Sequence, residues 1–199
     1  MRDKRKYCRP VISKYPKTGD IIIKLKCGKH APITKSEYNK IKNFFKPESF
    51  VGEDNPTDPG NIVVIDKNTG KQATFSTSDY NSIKDDFEIS DIVGSKRNVF
   101  NTDLQETVIV GDIICHNNIL DTDAIFSYDN WLELNDDWDA TGIYGITTIE
   151  EENAVGGEYI IMANGTTFII NAADYSQIST QWEHIDTIPL PEQNDNNGE

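Results

Sequence analysis

Cys27 and His30 stand in a Cys-x-x-His spacing, half of a zinc knuckle, and Cys8 offers a third ligand. A structural zinc wants two matched pairs, and no second knuckle of matching spacing follows. Cys27 also precedes Gly28 at an expected hairpin turn, where a small residue needs no metal. Cys115 and His116 are a nucleophile and a base side by side, but neighbours on a strand point to opposite faces. Cys115 is therefore assigned to the core and His116 to the polar start of a turn. The stretch "DTDAIFSYDNWLELNDDWD", residues 121–139, is rich in oxygen ligands yet lacks the glycine and closing glutamate of an EF-hand loop. Its acids read as a solvated face. Asp136 and Asp137 could serve as a glycosidase pair only with geometry that the sequence does not carry. No phosphate-cradling glycine loop, serine elbow or HExxH occurs, and His30, His116 and His184 are the only histidines. The chain is expected not to be an enzyme, with no catalytic residues, no metal site and no cofactor.

Charge points instead to binding. The formal net charge is -14, but residues 1–50 hold 14 lysines and arginines against 4 acids, while the remaining 149 residues hold 5 against 29. So polarised a chain suits an oriented electrostatic contact. The candidate partner-binding residues are Arg2, Lys4, Arg5, Lys6 and Arg9 in the N-terminal arm, with Lys24, Lys26 and Lys29 around the first hairpin. Lys35, Lys40 and Lys42 are expected to extend the exposed basic patch. No helix-turn-helix, RRM or zinc-finger pattern accompanies these lysines, and the acidic bulk would repel a long duplex. Docking on an acidic protein surface fits better than nucleic acid.

The elements that must position these residues repeat. After Gly19, Gly60, Gly111 and Gly157, each followed by one polar residue, come the triplets Ile21-Ile22-Ile23, Ile62-Val63-Val64, Ile113-Ile114-Cys115 and Tyr159-Ile160-Ile161. These read as short buried strands, each ended by a turn signal: Cys27-Gly28, "DKNTGK", Asn117-Asn118 and Asn164-Gly165. A second register counts from the aromatic anchors Tyr38, Tyr80, Trp131 and Tyr175. Five residues earlier stand Ile33, Phe75, Phe126 and Ile170, and seven earlier Ala31, Ala73, Ala124 and Phe168, the period of a returning strand. Three residues after the anchor stand Ile41, Ile83, Leu134 and Ile178, and seven after stand Phe45, Phe87, Trp138 and Trp182. Anchor, +3 and +7 are expected to share one helix face, with Ser36, Ser78 and Asp129 as N-caps.

The expected fold is α+β and β-rich: four tandem strand-turn-strand-short helix units, near 19–45, 60–87, 111–138 and 157–182, packed into one body over 19–185. A unit of this size cannot bury its own hairpin and helix, so the units must pack on one another. A pairwise arrangement, units one and two against units three and four, is the alternative, with the longest spacing, 51 residues, falling in the middle. Residues 1–18 form a basic arm and 186–199 a flexible acidic tail. The linker "KPESFVGEDNPTDP" reads as surface loop, and the segment from Glu88 to Val110 is long enough to add a strand. Three widely spaced cysteines argue against a disulfide scaffold. No apolar run approaches the ~20 residues of a membrane span, and the basic start has no apolar region behind it, so a soluble chain without a secretory leader is expected.

Tandem β-rich units, polarised charge, a polar tail and an abundance of Asn, Asp, Ile and Lys over the full length resemble the accessory structural proteins of tailed phages, in the style of the crAss-like phages. The resemblance is one of composition and organisation, without a diagnostic motif, and it carries over no functional residues. It implies a capsid, connector or tail component made in the host cytoplasm and located in the virion, with other virion proteins or further copies of itself as partners and no membrane contact. The alternative is a repeat-type protein-binding adaptor or inhibitor acting in the host cytoplasm.

Overall fold

The computed structural model describes residues 13–97 and 107–191. Of these, 37% are strand and 17% helix, arranged as four small antiparallel sheets. The chain divides into two compact units, Met1–Gly94 and Ser95–Glu199.

In the first unit, β1 (Ile21–Lys24) and β2 (His30–Ile33) form a hairpin, α1 (Lys35–Ile41) follows, and β3 (Pro47–Phe50) returns to the other side of β1. The second sheet follows the same path with β4 (Ile62–Asp66), β5 (Gln72–Phe75), α2 (Thr77–Ile83) and β6 (Phe87–Ile92). In the second unit β7 (Ser95–Arg97) edges a sheet made by β8 (Ile113–Asn117), β9 (Thr122–Phe126), α3 (Tyr128–Leu132) and β10 (Trp138–Ile143), in the order β10-β8-β9-β7. The fourth sheet has β11 (Thr148–Ile149), β12 (Tyr159–Ala163), β13 (Thr166–Ile170), α4 (Ala172–Ile178) and β14 (Glu183–Thr187), in the order β11-β13-β12-β14.

Strand alternation explains the triplets. Ile21 and Ile23, Ile62 and Val64, Ile113 and Cys115 are buried, while Ile22, Val63 and Ile114 between them are half-buried. The hairpin between β12 and β13 turns on Asn164 and Gly165, with φ of 47° and 77°, the two positive values that a two-residue type I′ loop requires.

The polar residue after each glycine has a backbone task. Asp20 accepts from the Lys17 N–H (2.8 Å), Asp112 from Ile109 (2.7 Å) and Glu158 from Gly156 (2.6 Å). The glycine itself closes the third strand. Gly19 N–H donates to the Val51 carbonyl and Val51 N–H to that of Asp20, and the same two bonds link Gly60, Val93 and Asn61; Gly111, Tyr144 and Asp112; and Gly157, Ile188 and Glu158, all between 2.7 and 3.0 Å. Every third strand also slips register opposite the middle of its triplet, leaving Glu48, Ser90, Thr141 and Ile185 as extra residues. Two of the extra residues bond back across the bulge, Ser90 Oγ to the Val63 carbonyl (3.1 Å) and Thr141 Oγ1 to that of Ile114 (3.2 Å).

Several expectations shift. The N-caps of the first three helices are Thr34, Ser76 and Ser127, two residues before those expected, with Ser36, Ser78 and Asp129 in the first turn, and Asn171 caps the fourth, for which none was expected. An N-cap must still be extended while its oxygen reaches the third helical N–H. Thr34 does so at 3.2 Å, and Glu37 answers by accepting the Thr34 N–H at 2.8 Å, a complete capping box.

The helices end at Ile41, Ile83, Leu132 and Ile178, so Leu134 lies beyond α3, and none of Phe45, Phe87, Trp138 and Trp182 is on a helix face: Phe87 and Trp138 open β6 and β10, while Trp182 stands one residue before β14 and Phe45 two before β3. The last turn closes with i to i+3 bonds, such as Asp86 N–H to the Ile83 carbonyl (3.0 Å), because the chain must reverse to reach β1 or its equivalent. The stretch from Lys46 to Pro59, expected as surface loop, carries β3, whereas the segment from Glu88 to Val110, expected to have room for a strand, carries most of β6 and all of β7. β14 takes in Asp186 and Thr187, and Ile188 pairs with Gly157 and Glu158, so the sheet continues past the expected start of the tail.

Each unit buries its own aromatic cluster. In the first, Phe50 packs edge-on against Phe75 (6.4 Å) and Phe87 (5.4 Å), joining its two sheets. In the second, Trp131 stacks on Trp182 at 5.5 Å and 18°, and the Tyr128 hydroxyl donates to the Gln181 carbonyl at 2.6 Å. Trp131 and Tyr38 are buried as anchors should be, whereas Tyr80 and Tyr175 are half-buried.

Candidate partner-binding site

The basic patch is built on the first sheet. Lys24 ends β1, and Lys26 and Lys29 sit on the turn to β2, closed by the Leu25 N–H bond to the Lys29 carbonyl at 2.8 Å. All three lysines are exposed, as are Lys40 and Lys42. A tight turn has no room to bury a long cationic side chain, so these heads face water. Arg2, Lys4, Arg5, Lys6 and Arg9 lie outside the described residues, as does Cys8.

Lys35 departs from the expected patch. Its side chain is only 15% exposed and its Nζ lies 2.8 Å from Asp66 Oδ2, 3.3 Å from Asp86 Oδ2 and 3.9 Å over the ring of Phe87. Position one of α1 faces the second sheet, so the charge is used inside the unit rather than on its surface. Asp66 is fully buried, its Oδ1 accepting from the N–H groups of Asn68 (3.0 Å) and Thr69 (2.8 Å).

A cleft of about 420 Å³ opens beside the exposed lysines, lined by Lys24, Lys26, Phe44, Phe45, Lys46 and Glu48 together with Leu25 and Pro47. Phe44 is 77% exposed. Glu48 is occupied by His30, 2.6 Å away, and approaches Lys24 at 4.0 Å. Such exposed pairs are worth little in stability, but they leave Lys26 and Lys46 as the cations that dominate the rim. Sequence reasoning named Lys24, Lys26 and Lys29 but passed over Lys46 and Phe44. The adjacent phenylalanines of "NFFK" were the available signal, since neighbouring side chains at the end of a short helix and the turn after it cannot both face the core.

The remaining chemical candidates fall into structural places. Cys27 is exposed on the turn, with His30 held by Glu48. Cys115 is fully buried in β8, where burial and then the charge of Asp139 push its thiol up to about 12. A thiol held neutral there is a packing group. His116 contacts Asp123 at 2.9 Å and Asp121 at 3.7 Å across the β8–β9 hairpin. Asp136 and Asp139 line a polar hollow of about 240 Å³ beside Trp131 and Trp138, with Asn164 and Thr166 opposite. Among the described residues no group of three or more His, Cys, Asp or Glu side chains is placed to hold a metal, and no helix is long and apolar enough to cross a membrane.

No known family matches the sequence, and no curated protein or solved structure matches the chain.

Proposed function

We propose that the chain is a non-enzymatic structural and assembly protein of a virus particle, a capsid, connector or tail component that binds other virion proteins through its basic end. We also infer that the four sheets are four diverged copies of one unit. Supporting the second reading are the glycine-closed third strand and the bulge at one register position, both recurring in all four sheets. Features of this kind do not follow from hydrophobic patterning alone.

The observation that carries the binding reading is the division of charge. Residues 1–94 hold 17 bases against 13 acids, and residues 95–199 hold 2 against 20. The lysines of the first sheet stand exposed on a turn and beside an open cleft, where a partner can reach them. The assignment to a virion rests on the resemblance in composition and organisation.

The test is a protein inventory of purified particles, joined to pull-downs across a salt series. The proposal expects the chain in particles and an association that weakens as salt screens the lysines, since the Debye length is ~8 Å at physiological ionic strength. Absence from particles together with abundance in infected cells refutes the virion reading. Capture of a host protein in that case replaces it with the adaptor reading.

A further inference from the structure

The cleft beside β1 has a feature that its fold does not require. In each sheet one residue stands just before the aromatic that leads into the third strand: Phe44 before Phe45, Asp86 before Phe87, Asp137 before Trp138 and Gln181 before Trp182. The other three sheets are built with an acid or an amide there. Asp86 and Asp137 offer their backbone carbonyls to Lys67 and Asn118 N–H groups (both 3.1 Å), a contact that no apolar side chain is needed to make. Phe44 alone puts an aromatic ring at this place, 77% exposed to water. A single exposed ring is ordinary by itself, but this one borders an open cleft, where an aromatic side chain can anchor a partner by being buried against it.

We infer that this cleft takes an extended acidic polypeptide segment of a partner protein, one apolar side chain of the segment lying against Phe44 and Phe45 and its flanking carboxylates reaching Lys24, Lys26 and Lys46. The inference deepens the reading of the chain as a protein-binding module and rests on it. Charge complementarity selects the occupant: three lysines line the opening against one carboxylate, Glu48, which lies 2.6 Å from His30 and 4.0 Å from Lys24 and so leaves Lys26 and Lys46 as the leading cations. At about 420 Å³ the cleft lies within the range of sites that hold a small ligand or a few side chains. A nucleic acid would need a basic track with several stacking rings. Here Phe45 is half-buried, so Phe44 is the one ring of the lining pair that stands free.

The test uses the full chain and a fluorescein-labelled peptide of alternating glutamate and leucine, titrated by polarisation, with oligoglutamate and oligothymidylate as competitors. The alternating peptide should bind, more weakly as salt rises, and displace more readily than either competitor can achieve. Phe44→Asp installs the residue that Asp86 and Asp137 supply in two other sheets, so the fold should hold, checked by circular dichroism, while affinity falls at least roughly tenfold. Lys24→Glu with Lys46→Glu is the second variant, on exposed side chains, and should lose affinity to a similar extent and flatten the salt dependence. Oligoglutamate competing as well as the alternating peptide would show a charge patch without an anchor and overturn the inference. So would preference for oligothymidylate, full affinity in folded Phe44→Asp, or no binding by the parent. A chain present in particles whose cleft ignores the peptide sinks this inference and leaves the virion reading standing, whereas absence from particles has no bearing on the titration.

Discussion

Removing the charge of Lys35 should unbalance the interior of the first unit. Lys35 Nζ and the fully buried Asp66 lie 2.8 Å apart, an ion pair without the alignment of a good hydrogen bond. At an effective dielectric of ~20 their attraction is about 6 kcal/mol, against a desolvation cost of several kcal/mol for each ion. The pair therefore nets little, but either half alone is costly. Lys35→Met leaves the Asp66 carboxylate buried with only its two backbone donors, and should lose ~3–5 kcal/mol. Asp66→Asn should cost less, ~1–3 kcal/mol, because Lys35 keeps Asp86 and the face of Phe87. The third sheet shows that the amide fits: Asn117 is equally buried at the end of β8 and its Oδ1 accepts from Ile119 (3.0 Å) and Leu120 (2.8 Å), as Asp66 accepts from Asn68 and Thr69. The double variant, Lys35→Met with Asp66→Asn, should return to within ~1 kcal/mol of the parent. Urea unfolding followed by far-UV circular dichroism is the assay, because Trp131, Trp138 and Trp182 all lie in the second unit and report poorly on the first. A loss below ~1 kcal/mol for Lys35→Met, or additive single effects in the double variant, would refute the reasoning.

The anchors should separate by burial. Trp131→Ala removes a ring stacked on Trp182 and 5% exposed, and should cost ~3–5 kcal/mol by tryptophan fluorescence in denaturant, whereas Tyr80→Ala, half-buried, should cost clearly less; equal losses would contradict the packing. Cys115 should resist alkylation in the folded protein while Cys27 reacts, as read by peptide mapping. Its raised folded value stabilises the protein fully below the unfolded thiol's value of 9.0, and that contribution is lost as pH climbs from there through about 12, so Cys115→Ala should show a shallower alkaline decline.

The hairpins were legible in the sequence because strand burial is a local code. A period of two around Ile21, Ile62, Ile113 and Ile161, punctuated by Gly28, Gly70 and Asn164-Gly165, fixes strand, turn and inward face within a dozen residues. The short helices were legible for the same reason, though capping moved their start to Thr34, Ser76, Ser127 and Asn171, since a cap is chosen by which oxygen can reach the third N–H and Ser36 or Ser78 is equally suitable in type. Of the third strands only β6 was foreshadowed, in the segment from Glu88 to Val110 that is long enough to add a strand. Pro47–Phe50 and Glu183–Thr187 lack a strong pattern of their own, and they become strands by pairing with β1 and β12 and by closing on Gly19 and Gly157. The same division runs through the charges. Composition alone marked the first fifty residues as basic and the turn lysines as exposed. Only the fold could send Lys35 inward to Asp66 and bring Phe44 and Lys46 alongside Lys24 and Lys26 to open a cleft, because both depend on contacts between residues far apart in the chain, whose partners no local pattern records.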